Sequence, residues 1–90
     1  MAVLNSAKSV EAIKEVGYHN CAKGLYLQVS KQGTKSWLFR YTSPITKKRR
    51  EMGLGSLNYV SLAEVRQIAV DNKRLIIGGK DPIEERKQSQ

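Results

Sequence analysis

Three short runs of alternating apolar and polar residues, followed by one helix with capping residues, constrain the fold of this chain most strongly. In the first run Leu25, Leu27 and Val29 fall on one face, which is the period-two pattern of a half-buried strand. The runs Ser36 to Thr42 and Lys47 to Leu54 alternate in the same way, and turn residues separate the three. The pattern predicts a three-stranded antiparallel meander.

The helix that follows has clear signals at both ends. Ser61 and Glu64 form a capping box, in which each side chain can bond to the backbone amide of the other residue. Gly78-Gly79 is typical of a helix end, so the pattern predicts a helix over about 61–77. A possible second, short helix lies between Asn5 and Val16, where apolar residues recur at roughly helical spacing. That segment is equally compatible with an extended arm.

A three-stranded sheet is marginal in water unless one face is covered, and the 61–77 helix is the only predicted element large enough to cover it. We therefore expect an α+β fold, in which a three-stranded antiparallel sheet is covered on one face by a C-terminal helix. Alternation assigns to the covered face Leu25, Leu27, Val29, Trp37, Phe39, Tyr41, Met52 and Leu54. The exposed face is assigned Tyr26, Gln28, Ser30, Leu38, Arg40, Thr42, Lys47 and Arg49.

The positive charge of the chain is confined to its middle. The 90 residues contain 16 Lys and Arg against 8 Asp and Glu, a net charge of +8. Between Val16 and Arg50 there are eight Lys and Arg residues and no acid, whereas the rest of the chain is balanced. A one-signed concentration of this kind indicates a polyanionic partner, most often nucleic acid and less often an anionic membrane surface.

The sequence contains no set of residues typical of a catalytic site or a metal site. The only histidine, His19, precedes the only cysteine, Cys21, by two residues, and this pair lacks the further ligands that a zinc site needs and the partners of a catalytic triad. We expect no catalytic residue, no metal and no cofactor. One cysteine excludes an internal disulfide and fits a reducing compartment, no apolar run is long enough for a membrane span, and the start does not read as a signal peptide. A cytoplasmic location is expected.

Several strings in this chain together resemble the amino-terminal domain of phage-type integrases, the tyrosine recombinases of prophages and genomic islands. They are Gly24-Leu25-Tyr26-Leu27-Gln28-Val29-Ser30, the stretch from Gly33 to Tyr41, the stretch from Lys48 to Gly55, Val60-Ser61-Leu62-Ala63-Glu64 and Gly79-Lys80-Asp81-Pro82-Ile83. The chain departs from the family before Gly24, where Asn20-Cys21-Ala22-Lys23 stands in place of the usual Asp-Gly-Gly run.

The resemblance implies an arm-type DNA-binding domain over 1–83, with 84–90 as the start of a linker to a core-binding and catalytic region that lies outside these residues. The partner implied is double-stranded DNA at arm-type attachment sites, in the host nucleoid. Other integrase protomers and accessory DNA-bending or excision factors are expected as further partners. Related domains place their sheet in the major groove, which suits a two- or three-stranded ribbon.

Candidate DNA-binding residues follow from the exposed face and the charge. Gln28 and Arg40 combine an outward position with a central place in a strand, and we expect them to contact base edges. Phosphate contacts are expected from Lys31, Lys35, Lys47, Lys48 and Arg49. Tyr26 and Thr42 are expected to contact sugar, phosphate or a thymine methyl. Two alternatives remain open: an RNA-binding sheet module, and a protein-interaction module that docks neighbouring integrase protomers through the C-terminal polar tail and the outer surface of the helix.

Overall fold

The structure, a computed structural model, describes residues 6–88. In chain order these residues form α1 (Ala7–Ala12), β1 (Gly17–Ala22), β2 (Leu25–Val29), β3 (Lys35–Thr42), β4 (Arg49–Ser56), α2 (Leu62–Ile77) and α3 (Pro82–Gln88). The strands make one antiparallel sheet in the order β1-β2-β3-β4. Every strand therefore pairs with its neighbour in sequence. The α+β class with an antiparallel meander is confirmed.

The predicted number of strands was wrong, because residues 6–88 form four strands rather than three. The additional strand, β1, pairs with β2 so that Tyr18 lies opposite Gln28 and Asn20 opposite Tyr26. Its sequence contains glycine and asparagine, which are poor strand formers, and no β-branched residue. Pairing with β2 and burial of the Cys21 side chain stabilise this strand where its own propensity does not.

The covered face of the three predicted strands is confirmed. The exposed face is confirmed except at its ends, because Ser30 follows β2 and Lys47, the predicted start of the third strand, lies in the turn before β4. The following are buried: Leu25, Leu27, Val29, Trp37, Phe39, Tyr41 and Met52. Leu54, half-buried, packs against both core clusters, although a bulge at this residue shifts the β3–β4 register between Trp37 and Leu38. Trp37 also donates from Nε1 to the Val60 carbonyl at 2.7 Å, so its polar atom is satisfied inside the core.

The cover on the inner face is larger than expected, because all three helices contribute to it. Val10 of α1 and Val65 of α2 are fully buried in the cluster that contains Trp37. At the other end of the sheet, Ala69 of α2 and Ile83 of α3 pack against the cluster around Phe39. None of the helices in the described part of the chain is long and apolar enough to cross a membrane.

The capping box of α2 forms as predicted. The Glu64 amide donates to Ser61 Oγ at 3.2 Å, and the Ser61 amide donates to Glu64 Oε1 at 3.1 Å. The Ser61 amide and the Ser61 side chain both bond to the Glu64 carboxylate, and these bonds lower the pKa of Glu64. The helix spans Leu62–Ile77 with Gly78 as its C-cap, close to the predicted bounds. The possible N-terminal helix is α1, shorter than the predicted segment, whose first residue, Asn5, lies outside the described residues.

The residues after Ile83, where the sequence analysis places the start of a linker, belong to a short helix. Residues 84–88 continue α3, while Ser89 and Gln90 lie outside the described residues. Asp81 accepts from the Ile83 amide at 2.9 Å and Pro82 occupies the first helical position, a pairing that favours helix initiation. Arg86 donates to the Gly53 carbonyl of β4 at 2.9 Å, so α3 packs against the sheet.

Asp81 is a buried carboxylate, 1% exposed, that joins α3 to the sheet. It accepts hydrogen bonds from the Tyr41 hydroxyl and from Arg50 Nη1 at 3.0 Å, and Arg50 Nη1 also reaches Glu84 Oε1 at 3.0 Å. Burial alone would raise the pKa of Asp81, but bonds from Tyr41, Ser43, Arg50 and the Ile83 amide outweigh it and hold the pKa well below its usual range. Burial, reinforced by the bond to Asp81, raises the pKa of Tyr41 to about 12.

We predict that Asp81 makes the stability of the domain depend on acid pH. Because its folded-state pKa lies below the unfolded value of about 3.9, its contribution is present above about pH 4 and is lost as the pH falls toward the folded pKa. Asp81→Asn should therefore cost about 1–3 kcal/mol at pH 7 and progressively less below pH 4. Urea unfolding of both proteins from pH 7 to pH 2 measures this. A deficit that stays constant over the whole range contradicts the prediction.

Candidate nucleic-acid interface

The sheet has one face without helices in the described structure, and we call it the outer face. Strand alternation and the observed pairing place on it Tyr18, Asn20, Tyr26, Gln28, Ser36, Leu38, Arg40, Thr42, Arg49 and Glu51. These side chains are half-buried or exposed. The two residues predicted to contact base edges, Gln28 and Arg40, thus share one surface with Tyr26 and Thr42, as the alternation predicted.

Arg40 is the most constrained side chain of the outer face. Its guanidinium carbon lies 4.5 Å from the ring centroid of Tyr18 and 4.8 Å from that of Tyr26, within the range of cation–π attraction. Arg40 Nε lies 3.5 Å from Glu51 Oε2, and among the described residues it is a buried atom without a hydrogen-bond partner. The side chain is still 31% exposed. Arg40 is therefore oriented by three neighbours while part of it faces outward.

Gln28 and Thr42 lie on the outer face on either side of Arg40 along the strand direction. Gln28 stands between Tyr18 on β1 and Ser36 on β3 and is half-buried. Thr42 is exposed at the end of β3, opposite Arg49. Gln28 pairs with Ser36, and Ser36 lies four residues before Arg40 on β3, which is about 13 Å at the usual rise per residue. Gln28 and Arg40 are therefore well separated along the strand direction. The amide of Gln28 and the guanidinium of Arg40 can therefore face different base pairs.

The predicted phosphate-contacting bases lie at two opposite ends of the sheet. Lys31 is in the turn between β2 and β3, whereas Lys47 and Lys48 are in the turn between β3 and β4 and Arg49 begins β4. All four are exposed. Since β3 has eight residues, its two ends are separated by about 25 Å. The positive charge therefore borders the outer face from both ends.

The turn between β3 and β4 is ordered by its own hydrogen bonds. The Ser43 amide donates to the Lys48 carbonyl and the Lys47 amide donates to the Ser43 carbonyl, both at 2.9 Å. The Ser43 hydroxyl accepts from the amides of Ile45 and Thr46. Lys47 has a φ of 63°, a left-handed conformation that glycine adopts more readily than lysine. A charged side chain is thus held at a position where the backbone favours glycine.

Two bases of the acid-free stretch have structural partners instead. Lys35 Nζ donates to the carbonyls of Val10 at 3.0 Å and Glu11 at 2.6 Å, at the C-terminal end of α1, where a cation is favoured. Arg50 points away from the outer face and pairs with Asp81 and Glu84. The structure therefore separates Lys35 from the four exposed bases with which the sequence analysis grouped it.

Five residues of the outer face were not identified from the sequence as part of the site: Tyr18, Asn20, Ser36, Leu38 and Glu51. Tyr18 and Asn20 were missed together with β1, although they do alternate with the inward-facing Cys21. The signal for Glu51 was its place two residues after Arg49 in the third run, which alternation puts on the same face.

The histidine and the cysteine of β1 have structural surroundings. His19 Nε2 lies 2.7 Å from the Glu15 carbonyl oxygen. The Cys21 thiol is buried, and its burial raises its pKa to about 11, which disfavours the reactive thiolate. Among residues 6–88 no group of three or more His, Cys, Asp or Glu side chains is arranged to hold a metal ion.

We predict that Tyr18 and Arg40 are energetically coupled. A double-mutant cycle with Tyr18→Ala and Arg40→Ala, followed by urea unfolding, should give a coupling free energy of about 0.5–1 kcal/mol for this partly exposed cation–π contact. Tyr59→Ala, which removes a tyrosine that is 86% exposed, is the matched control and should show no coupling to Arg40. Equal coupling for Tyr18 and Tyr59 would refute the contact.

Comparison with known proteins identifies a matching family and two relatives. The sequence profile of the Arm DNA-binding domain family matches residues 3–89. The chain is 37% identical over 65 residues to "Prophage integrase IntA" of Escherichia coli (strain K12), a match that covers 72% of this chain and 16% of that protein. It is 39% identical over 59 residues to "Integrase" of Enterobacteria phage P4, covering 66% of this chain and 13% of that protein.

The chain thus spans less than a fifth of the length of either relative. The family match covers nearly all of the chain, including every strand and helix described above. The family profile and the two integrase relatives lead to the same assignment. This chain belongs to the Arm DNA-binding domain family, the DNA-binding domains found in integrases.

Proposed function

We propose that this domain binds double-stranded DNA sequence-specifically and tethers an integrase to arm-type attachment sites by inserting the outer face of its sheet into the major groove. The observation that carries the proposal is the arrangement of Arg40 and Gln28 on an uncovered sheet face bordered at both ends by exposed bases. Arginine and glutamine are the side chains that pair bidentately with guanine and adenine. Bases at the border suit the phosphates.

The dimensions of the sheet support this placement. Neighbouring strands lie about 4.8 Å apart, so β2, β3 and β4 together span about 10 Å between their axes, comparable to the major-groove width of about 12 Å. Arg40 lies on β3, which has a neighbour on each side. A side chain on this strand would reach the floor of the groove, while the turns at the two strand ends would lie beside the backbones.

The roles of individual residues follow from these positions. We assign base-edge contacts to Gln28 and Arg40, and phosphate contacts to Lys31, Lys47, Lys48 and Arg49. Thr42 is exposed beside Arg49 and suits a contact to phosphate or a thymine methyl. Tyr26 presents a ring to Arg40, which leaves its hydroxyl for a sugar or phosphate oxygen. Lys35 is assigned to α1 rather than to DNA, because its ammonium already meets two carbonyls.

The wider context is also a proposal. We infer that the natural protein is a tyrosine recombinase acting in the bacterial nucleoid, in which this domain contributes DNA binding and a separate region contributes catalysis. The support is the family match and the integrase relatives, of which the chain spans a small part. Other integrase protomers and accessory DNA-bending or excision factors are proposed partners of the assembled complex.

An RNA-binding role is the second candidate, because the outer face carries two tyrosines, Tyr18 and Tyr26, where the sequence analysis placed only one. Base stacking needs an open aromatic face. Both rings are instead in contact with the Arg40 guanidinium, which favours duplex binding. A gel shift with duplex DNA, single-stranded DNA and RNA of equal length separates the two functions.

We predict that removing a phosphate contact and removing a base contact will have different effects. Lys48→Ala should flatten the plot of log affinity against log salt by about one unit on an arm site and on a scrambled duplex alike. Arg40→Ala should lose about 1–3 kcal/mol of discrimination, concentrated at one base pair, with a smaller loss on the scrambled duplex. Binding is measured on both duplexes at several salt concentrations.

Lys80→Ala is the matched control, because Lys80 is exposed in the loop before α3 and its loss changes the net charge equally. It should leave the salt slope nearly unchanged. If Arg40→Ala, like Lys48→Ala, loses equal affinity on both duplexes, Arg40 does not read a base, and the outer face binds DNA by electrostatic attraction alone.

We also predict a trade-off at Lys47. Lys47→Gly should raise the free energy of unfolding by about 0.5–1 kcal/mol, because glycine adopts the left-handed conformation without strain. The same variant should lower the salt slope on duplex DNA by about one unit. Thermal unfolding and salt-dependent binding measure the two effects. A variant that is more stable and binds with an unchanged slope would show that Lys47 does not contact phosphate.

A further inference from the structure

Glu51 is the one acidic side chain on the outer face in the described part of the chain. It lies on β4 directly opposite Arg40 on β3, its Oε2 is 3.5 Å from Arg40 Nε, and its side chain is 52% exposed. A carboxylate in this position repels the phosphates of any duplex that approaches. Its presence beside Arg40 on the proposed DNA-binding surface, on the edge strand β4, therefore needs a physical explanation.

Stability is a weak explanation for this carboxylate. Ion pairs between exposed side chains contribute little to folding, and Arg40 already contacts the rings of Tyr18 and Tyr26. The carboxylate also leaves Arg40 Nε without a hydrogen bond in the described structure. The two side chains therefore lie side by side without the hydrogen bond that would fix them to each other.

Recognition of a base is the explanation that the geometry supports. In the major groove cytosine presents an amino donor that a carboxylate accepts, and guanine presents acceptors that arginine meets bidentately. When a cytosine and a guanine occupy neighbouring base pairs, that donor and those acceptors lie next to each other in the groove. Arg40 and Glu51 provide the complementary donor and acceptor next to each other, and the two tyrosine rings restrict how far the guanidinium can move toward phosphate.

We propose that Glu51 is a specificity-determining residue. Its carboxylate accepts a hydrogen bond from the amino group of a cytosine in the base pair next to the guanine contacted by Arg40. The inference rests on the proposed function, because it requires the outer face to enter the major groove. At other sequences the carboxylate faces base acceptors such as guanine O6 or thymine O4, which repel it. Glu51 thus increases specificity by making binding to non-cognate DNA less favourable.

The test uses Glu51→Ala and Glu51→Gln, with binding measured on an arm site, a scrambled duplex and a set of arm sites carrying single base-pair changes. Glu51→Ala should bind the scrambled duplex about three-fold more tightly at low salt and lose about ten-fold in the ratio of specific to non-specific affinity. The loss should map to one C·G pair. Glu51→Gln should accept adenine as well as cytosine there, because a glutamine amide pairs with adenine.

Glu85→Gln is the matched control, since it removes one negative charge from α3, which packs on the inner side of the sheet. It should leave the affinity ratio and the base-pair profile unchanged. Circular dichroism checks that every variant is folded.

The outcomes separate this inference from the function on which it rests. If the unmodified domain does not prefer the arm site over the scrambled duplex, the proposed function fails. If it does prefer the arm site but Glu51→Ala keeps the same ratio and profile, Glu51 has no readout role and the proposed function stands. An equal gain on both duplexes for Glu51→Ala would mean that the carboxylate acts only as a repelling charge, which also overturns the inference.

Discussion

The buried carboxylate of Asp81 is the interaction on which most of this architecture depends. It accepts from Tyr41 on β3 and Arg50 on β4 while it caps the start of α3. A charge at 1% exposure is tolerated only when its oxygens are hydrogen-bonded. The same bonds therefore stabilise the helix start, join it to the sheet and hold the strand ends that lead into the basic turn between β3 and β4.

The fold also gives the basic residues of the acid-free stretch different environments. Lys35 and Arg50 belong to the same acid-free stretch as Lys47 and Lys48. The first two bond to a helix end and to buried or partly buried carboxylates, and the other two stay exposed at the border of the outer face. Net charge alone indicates a polyanionic partner, but only the structure shows which cations are available to meet one.

Much of the fold could be predicted because several local signals agreed. Strands β2 to β4, the buried side of each and the limits of α2 follow from alternation and from the Ser61–Glu64 capping box. Strand β1 could not be predicted, since tertiary pairing rather than intrinsic propensity stabilises its Gly-Tyr-His-Asn sequence. The candidate site was likewise only partly predictable. Alternation placed Gln28 and Arg40 on one face, whereas the contact of Arg40 with Tyr18 depends on strand β1, which the sequence did not predict.

The pleat of the sheet has a consequence for divergence. Side chains that pack the core point to one side of each strand, and those proposed to meet DNA point to the other. Substitutions at Tyr26, Gln28 or Arg40 can therefore accumulate with little effect on packing beneath them. Under the proposed function, changes at these alternate positions would alter the DNA sequence that the domain prefers, while the positions between them keep the fold. A single backbone could in this way serve domains that recognise different DNA sequences.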